Sequence, residues 1–349
     1  MNAADINVNW LVLSPALTLL ITAAIALLYG LGDRDSRAGA GIALVGAVFA
    51  GVLNYTLYRA EDTSAFNGRF LADGMATSIN FVILAGLTLA VLISWNYLRR
   101  SDLEQPEYYP LMLLAATGAM VMTAAGDVIT MVLGLEIMSL AVYVLTAWRP
   151  GRSTAARNSQ EAGMKYFLLG ATGSAVFIYG IALTYGATGS FSYAGIAAAA
   201  QDPAFSQPLL LGIGALFLFA GLGFKAAIFP FHQWAADAYT GAPTPVTAFM
   251  SVVVKTAAFA ALLRMAAQFL PLSSPALFEI IEEARRRGTS VLIVSDDLDE
   301  LIVCDRGAVI FKGRVTGEFA AGWHDKKLVA AIESGKYDAV IANVTVTEE

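Results

Sequence analysis

Charged residues are scarce in this chain: Asp, Glu, Lys and Arg make up 14% of its 349 positions, against about 25% in an ordinary soluble domain. There is one cysteine, Cys304, which excludes an internal disulfide. There are two histidines, and His, Cys and acidic residues never gather at the spacing a metal or an activated nucleophile needs. No Lys/Arg stripe marks a nucleic-acid face. No Gly-x-x-x-x-Gly-Lys-[Ser/Thr] loop occurs, so ATP binding is not expected. The opening Met-Asn-Ala-Ala-Asp5 has no basic stretch of the kind that starts a signal peptide, so the apolar run behind it reads as a retained first helix. The net charge of -6 comes largely from the tail and names no partner.

What the chain does have is apolar length: 57% of its residues are hydrophobic. A helix crosses a hydrocarbon core of about 30 Å with roughly 20 apolar residues. Eight segments qualify, near 9–30, 39–58, 74–98, 108–125, 127–148, 162–187, 208–231 and 240–268. Trp10, Tyr29, Tyr58, Trp95, Tyr97, Tyr108, Tyr109 and Trp148 lie near their ends, where such rings favour headgroup depth. Ser190 to Ala200 is too short to span and reads as a surface or tucked-under helix. Small residues inside the spans, such as Gly170-Ala-Thr-Gly-Ser174 and Gly212-Ile-Gly214, predict close helix contacts. After Pro271 the charge density becomes that of a soluble protein, which puts a boundary near 271–276. The expected fold is an all-α polytopic membrane bundle of about eight transmembrane helices, one of them broken, with a small soluble α/β C-terminal fragment.

Loop arginines set the orientation. With the N-terminus outside, Arg34, Arg37, Arg99, Arg100, Arg149, Arg152 and Arg157 fall on one side, and only Arg59, Arg69 and Arg264 on the other. The first side is then cytoplasmic, and residue 270 returns outside.

An ionisable side chain in mid-span costs about 2.5–3.5 kcal/mol on insertion scales. Glu136, Lys225 and Lys255 stand where that cost applies. Glu136 reads either as part of an ion pair between helices or as a proton-handling carboxylate. Asp127, nine residues earlier, falls on the opposite helix face and near the span end, where solvation is cheap. Lys225 precedes Pro230, which cannot donate to the carbonyl of Ala226, so the helix must kink or break there. A break at membrane depth needs protein or water to satisfy the freed groups, and charge beside a break is what ion-handling membrane proteins use. An amine out of water gives up its proton readily, and a nearby carboxylate holds it there. A Lys225–Glu136 pair would therefore be a switchable proton site. Lys255 either relays a proton or snorkels to water. His232, after the break, is a candidate relay or a structural hydrogen bonder. Glu161 and Lys165 stand four apart, in the order that favours a helix ion pair.

Three stretches carry a resemblance: Leu133-Gly-Leu-Glu-Ile-Met-Ser-Leu140, Glu161-Ala-Gly-Met-Lys-Tyr-Phe-Leu-Leu-Gly-Ala171, and Gly221 through Lys255 with its Phe-Pro-Phe-His-Gln-Trp, Ala-Pro-Thr-Pro-Val-Thr-Ala-Phe-Met and Val-Val-Val-Lys runs. Up to about residue 270 the chain resembles the antiporter-like proton channels of respiratory complex I, and subunit N among them. The resemblance implies a proton relay through Glu136, Lys225 and Lys255, with Lys165 also implicated and His232 a candidate. It implies no redox centre in this chain, with NADH and quinone used elsewhere in the complex. It implies other membrane subunits and the lipid bilayer as partners, and a multi-pass place in the bacterial inner membrane. Family members carry two inverted repeats, each with a broken helix; this chain is expected to hold only the first, and so to lack the exit half of the channel.

The tail resembles the end of a sugar-importer ABC ATPase, through Val294-Ser-Asp-Asp-Leu-Asp-Glu-Leu301, Cys304-Asp-Arg306 and Phe311-Lys-Gly-Arg-Val-Thr-Gly317. Asp296 occupies the place where active members usually carry histidine. A charged helix is expected from Glu279 to Arg287, a buried strand at Ser290–Ser295, a short helix at Asp297–Ile302, and a hairpin about Lys312-Gly313. The expected division is N-terminal transmembrane helices over 1–107, an antiporter-like half-repeat over 108–270, an ABC-ATPase-like fragment over 276–335 and a tail over 336–349. Readings left open beside proton translocation are a non-catalytic membrane scaffold, a non-functional fusion product and an ABC-transporter component.

Overall fold

In the computed structural model, residues 8–32, 36–202, 204–267, 286, 306–311 and 314–320 are described. The chain divides into two units, Met1–Leu272 and Ser273–Glu349. In the first, the long apolar runs become α1 (Trp10–Gly32), α2 (Ser36–Tyr58) and, after a short hairpin β1 (Thr63–Ala65) and β2 (Phe70–Ala72), α3 (Gly74–Arg100). There follow α4 (Tyr108–Thr123), α5 (Val128–Thr146), α6 (Thr154–Thr188), α7 (Tyr193–Gln201), α8 (Pro208–Ala226), α9 (Gln233–Gly241) and α10 (Thr244–Phe249). The last continues as a π-helical turn, Met250–Val254, within a span that runs Thr244–Ala267.

Among the described residues seven helices are long and apolar enough to cross a membrane, one fewer than the eight expected spans. The difference is α4, whose 16 residues reach about 24 Å. It is buried along most of its length, Met112, Leu113 and Ala116 being fully covered. Its tyrosines correct the reading of ring-marked span ends: Tyr108 and Tyr109 are buried, and Tyr108 Oη lies 3.1 Å from Ser94 Oγ. On α1, α2 and α8 the outer faces carry exposed Leu28, Leu31, Val45 and Leu209. Apolar surface of that extent belongs in hydrocarbon or against other membrane helices.

The starts of α3, α5, α6 and α7 are fixed by short polar side chains, which satisfy N–H groups of the first turn. Asp73 caps α3, accepting from Ala76 N at 2.8 Å, and Ser153 caps α6, accepting from Ala156 N at 3.1 Å. Asp127 caps α5 and stands 3.6 Å from Arg69, a structural post at the end of the helix. The β1–β2 hairpin turns through Phe66, Asn67 and Gly68, all at positive φ, and its second strand bridges to Ala125. Gly126 accommodates it: a Cβ there would fall on the carbonyl of Gly68. Between Asp127 and α7 a further bridge joins Ser192, and Tyr193 is buried beneath.

α4 and α5 approach at Gly118 and Gly134, where a Cβ on Gly134 would stand 2.5 Å from Met122 N and 2.8 Å from Gly118 O. Both are backbone atoms, so no rotamer change relieves the clash. Gly134→Ala is expected to destabilise the bundle by about 1–3 kcal/mol, read as a lower midpoint of thermal unfolding in detergent; an unchanged midpoint would refute this packing.

Arg264 corrects the loop count. It is not a loop arginine but a buried one, 7% exposed, within the last span. Its Nη1 and Nη2 donate to Asp73 at 2.8 and 2.9 Å, and its Nε donates to Thr123 O at 3.0 Å. Beside it Thr123 donates to Asn80, and Asn80 to Asn54, so a buried polar line joins α2, α3, α4 and the last span. An arginine committed in this way says nothing about orientation.

In the second unit, β3 (Arg306–Phe311) pairs antiparallel with β4 (Arg314–Ala320), with a register shift between Val309 and Ile310. The hairpin expected about Lys312-Gly313 therefore forms, its strands lying on either side of that pair. Of the charged helix Glu279–Arg287, only Arg286 is described, and it is helical. The strand Ser290–Ser295, the short helix Asp297–Ile302, Asp296, Cys304 and the tail 336–349 lie outside the described residues.

Candidate functional site

The site begins at the break in α8. Its last turn ends at Ala226, and Ala227 takes the left-handed conformation at φ 57°, a geometry that costs a residue with a Cβ roughly 1–2 kcal/mol. Loose carbonyls are capped locally. Ile228 N donates to Gly223 O at 2.9 Å, while Phe224 O accepts both Ala227 N at 3.0 Å and the indole Nε1 of Trp234 at 2.7 Å. The helix thus stops at Ala226, four residues before Pro230, with the carbonyls of Gly223 and Phe224 satisfied by protein.

Lys225 sits in that last turn, 2% exposed, where the negative end of the helix dipole favours a cation. Its Nζ donates to Tyr166 Oη at 3.1 Å and stands 5.2 Å from the ring centre of Tyr143 and 5.1 Å from that of Tyr166. An ammonium so close to the Tyr166 hydroxyl meets that residue at its polar end, so the cation–π contact falls mainly on Tyr143. The rings are held in turn. Tyr143 meets Tyr166 edge-on at 4.7 Å, and Tyr166 stacks on Trp234 at 4.3 Å and 3°. Gly170 leaves room for the Tyr143 hydroxyl, which a Cβ would strike.

Glu136 does not form the expected ion pair. Among the described residues Lys225 has no carboxylate within salt-bridge distance; its direct partner is Tyr166. Glu136 lies within electrostatic reach of Lys225, and its Oε1 is buried without a hydrogen-bond partner. Tyr143, seven residues on and on the same face of α5, lies with its ring against the amine instead.

Lys255 follows the π-helical turn, its N–H donating to Met250 O, and its Nζ stands 5.8 Å from the ring centre of Tyr239. Lys165 joins Glu161 at 2.8 Å, as its spacing predicts, and also Asp237 at 3.1 Å. All three of those side chains are about half exposed, so this cluster is separate from the buried one. His232 does not join either: its ring is exposed and tilts against Phe229 at 5.7 Å. The structure therefore assembles Lys225 with Tyr143, Tyr166 and Trp234, brings Glu136 close, and reaches Lys255 by way of Tyr239. Sequence reading missed all four aromatics and Asp237. Tyr143 had a usable signal, its seven-residue spacing from Glu136; the other three aromatics look like core. Among the described residues no three His, Cys, Asp or Glu side chains gather as metal ligands.

Comparison with known proteins gives a consistent picture. Residues 125–282 match the transmembrane family described as NADH:quinone oxidoreductase/Mrp antiporter. The chain is 39% identical over 277 residues to NADH-quinone oxidoreductase subunit N 1 of Herpetosiphon aurantiacus, an alignment covering 78% of this chain and 54% of that protein. It is 42% identical over 271 residues to NADH-quinone oxidoreductase subunit N of Desulfovibrio desulfuricans, covering 75% and 52%. A chain of respiratory complex I from Thermus thermophilus, 33% identical, superposes with a TM-score of 0.60 over 72% of this chain and 53% of that one. One from the archaeal membrane-bound sulfane sulfur reductase, 25% identical, gives 0.64 over 74% and 53%. The chain thus spans about half the length of the curated relatives it matches.

Proposed function

From the premise of an antiporter-like membrane bundle whose residues 125–282 match the NADH:quinone oxidoreductase/Mrp antiporter family, we propose that this chain is a proton-translocating membrane subunit of a bacterial NADH-quinone oxidoreductase, of the subunit N kind. In this reading the electron chemistry of NADH and quinone takes place in other subunits, and this chain moves protons in response. Its partners are the neighbouring membrane subunits and the lipid of the inner membrane. The relay runs through Glu136, Lys225 and Lys255, with Lys165 at the half-exposed cluster beside Asp237.

One observation carries the reading: a lysine buried at the end of a broken helix, held by a single tyrosine hydroxyl, with a carboxylate near it whose Oε1 has no partner. A charge kept only to hold helices together would be paired directly, because an unpaired buried charge is strongly destabilising. A proton site instead needs the amine and the carboxylate near enough to influence each other and free enough to exchange. The Lys165 cluster, with both carboxylates in contact, has the form of an ordinary surface ion pair.

Glu136→Gln tests this in membrane vesicles from cells producing the full chain in a background lacking it. Proton uptake driven by NADH is followed with a pH-sensitive dye. Gln keeps the size and removes the charge, so uptake is expected to fall by about tenfold or more while the protein remains in the membrane. Uptake equal to that of the unaltered chain would sink the proposal.

A further inference from the structure

Lys225 and Lys255 are separated by three rings in unbroken contact. Lys225 Nζ donates to Tyr166 Oη at 3.1 Å, Tyr166 stacks on Trp234 at 4.3 Å, Trp234 meets Tyr239 edge-on at 6.0 Å, and Lys255 Nζ stands 5.8 Å from the Tyr239 ring centre. Only some atoms of that bridge can pass a proton. The indole N–H of Trp234 is committed to Phe224 O at 2.7 Å. Tyr166 Oη accepts from Lys225, which leaves its own hydrogen to give away. Tyr239 Oη is buried and, among the described residues, makes no hydrogen bond, though Tyr239 lies within electrostatic reach of Tyr166. A phenylalanine would stack on Trp234 and lie against Lys255 equally well, without burying an unsatisfied hydroxyl. The oxygen of Tyr239 therefore calls for a role other than packing.

The main chain on both sides of the Tyr239–Lys255 contact is fixed. Thr247 Oγ1 donates to the main-chain carbonyl of Tyr239 at 3.0 Å, which ties α9 to the start of the last span. The π-helical turn Met250–Val254 directly precedes Lys255, and such turns re-aim side chains at functional sites.

We propose that Tyr239 is the relay residue between Lys225 and Lys255, its hydroxyl passing on the proton that Tyr166 receives. The inference rests on the proton-translocating reading above. Lys225 ammonium gives a proton to Tyr166 Oη as Tyr166 gives its own toward Tyr239. Tyr239 Oη takes that proton and gives its own to the neutral amine of Lys255. One proton moves, Lys225 ends neutral, Lys255 ends charged, and both phenols are restored; no electron and no co-reactant is involved. The steps from Tyr166 to Tyr239 and from Tyr239 to Lys255 require a bridging water wherever the polar atoms do not meet directly.

Tyr239→Phe removes the oxygen and keeps the ring. In the vesicle assay of the full chain, NADH-driven proton uptake is expected to fall on the order of tenfold, with the thermal unfolding midpoint and near-ultraviolet circular dichroism unchanged. The residual uptake should show a larger solvent deuterium isotope effect, which a packing role would not produce. Uptake unchanged in Tyr239→Phe overturns the inference, and so does a loss accompanied by a lowered midpoint and an unaltered isotope effect. Lys225→Met and Lys255→Met are measured in parallel. If they abolish uptake while Tyr239→Phe does not, only the relay fails; if neither lysine matters, the functional reading falls and takes the relay with it.

Discussion

Lys225→Met is expected to abolish proton uptake, by about a hundredfold or more, without unfolding the chain. Methionine has nearly the same length and suits an apolar site, and because Lys225 has no carboxylate within salt-bridge distance among the described residues, its loss strips no direct ion-pair partner. Tyr166 would lose the donor to its hydroxyl but keep its stack on Trp234. The informative companion is Lys225→Arg. A guanidinium keeps the positive charge, can still donate to Tyr166, and does not release its proton in a protein. If Lys225 serves only as a fixed charge, arginine should restore much of the function. If it loads and unloads a proton, arginine should be as inactive as methionine. Dye quenching in vesicles, beside the rate of NADH oxidation, separates the two outcomes.

The largest expected effect on stability lies elsewhere, at Asp73 and Arg264. The two members are unequal: the Arg264 side chain is 8% exposed and that of Asp73 27%. Removing the arginine leaves a carboxylate that can turn toward water and still cap α3 through Ala76. Removing the carboxylate leaves a guanidinium buried beside Thr123 O with its charge uncompensated. Asp73→Ala should therefore cost about 3–5 kcal/mol, the range for breaking a buried pair. Arg264→Met should cost less, and the double variant should recover part of the loss. Unfolding midpoints for the four proteins give the coupling; additive effects would show that the pair is not a unit. Acid adds an independent check. Burial pushes the Asp73 carboxyl up, but the hydrogen bonds from Arg264 and Ala76 and the charge of Arg264 outweigh it, so the group is held below the usual carboxylate range. Its contribution is then present above the unfolded value of about 3.9 and is lost as pH falls through the lower folded one.

How far the residues announced this arrangement depends on the kind of signal each one carries. The broken helix was legible because Lys225 and Pro230 both violate the rules of an apolar span within six residues. Glu136 and Lys255 were legible for the same reason. Their neighbours were not, because Tyr166, Trp234 and Tyr239 are unremarkable in an apolar helix, and only tertiary packing turns them into a bridge. Arg264 was placed on the wrong footing because its partner lies 191 positions away, beyond any periodicity. His232 carried a pattern without a place, since the chain leaves it on the surface. The β1–β2 hairpin was overlooked although Asn67-Gly68 is a recognised turn pair; its strands of three residues fall below the length at which alternation can be seen.

The wide turn at Met250–Val254 has an effect that reaches beyond its own five residues. An extra residue wound into a helix acts as a phase shift, rotating everything after it by about 100° relative to what came before. Two later side chains inherit that rotation: the Lys255 amine that finds Tyr239 and the Arg264 guanidinium that finds Asp73. A chain one residue shorter here would swing both away at a stroke, so the proposed proton relay and the Asp73–Arg264 clasp depend on the same irregularity.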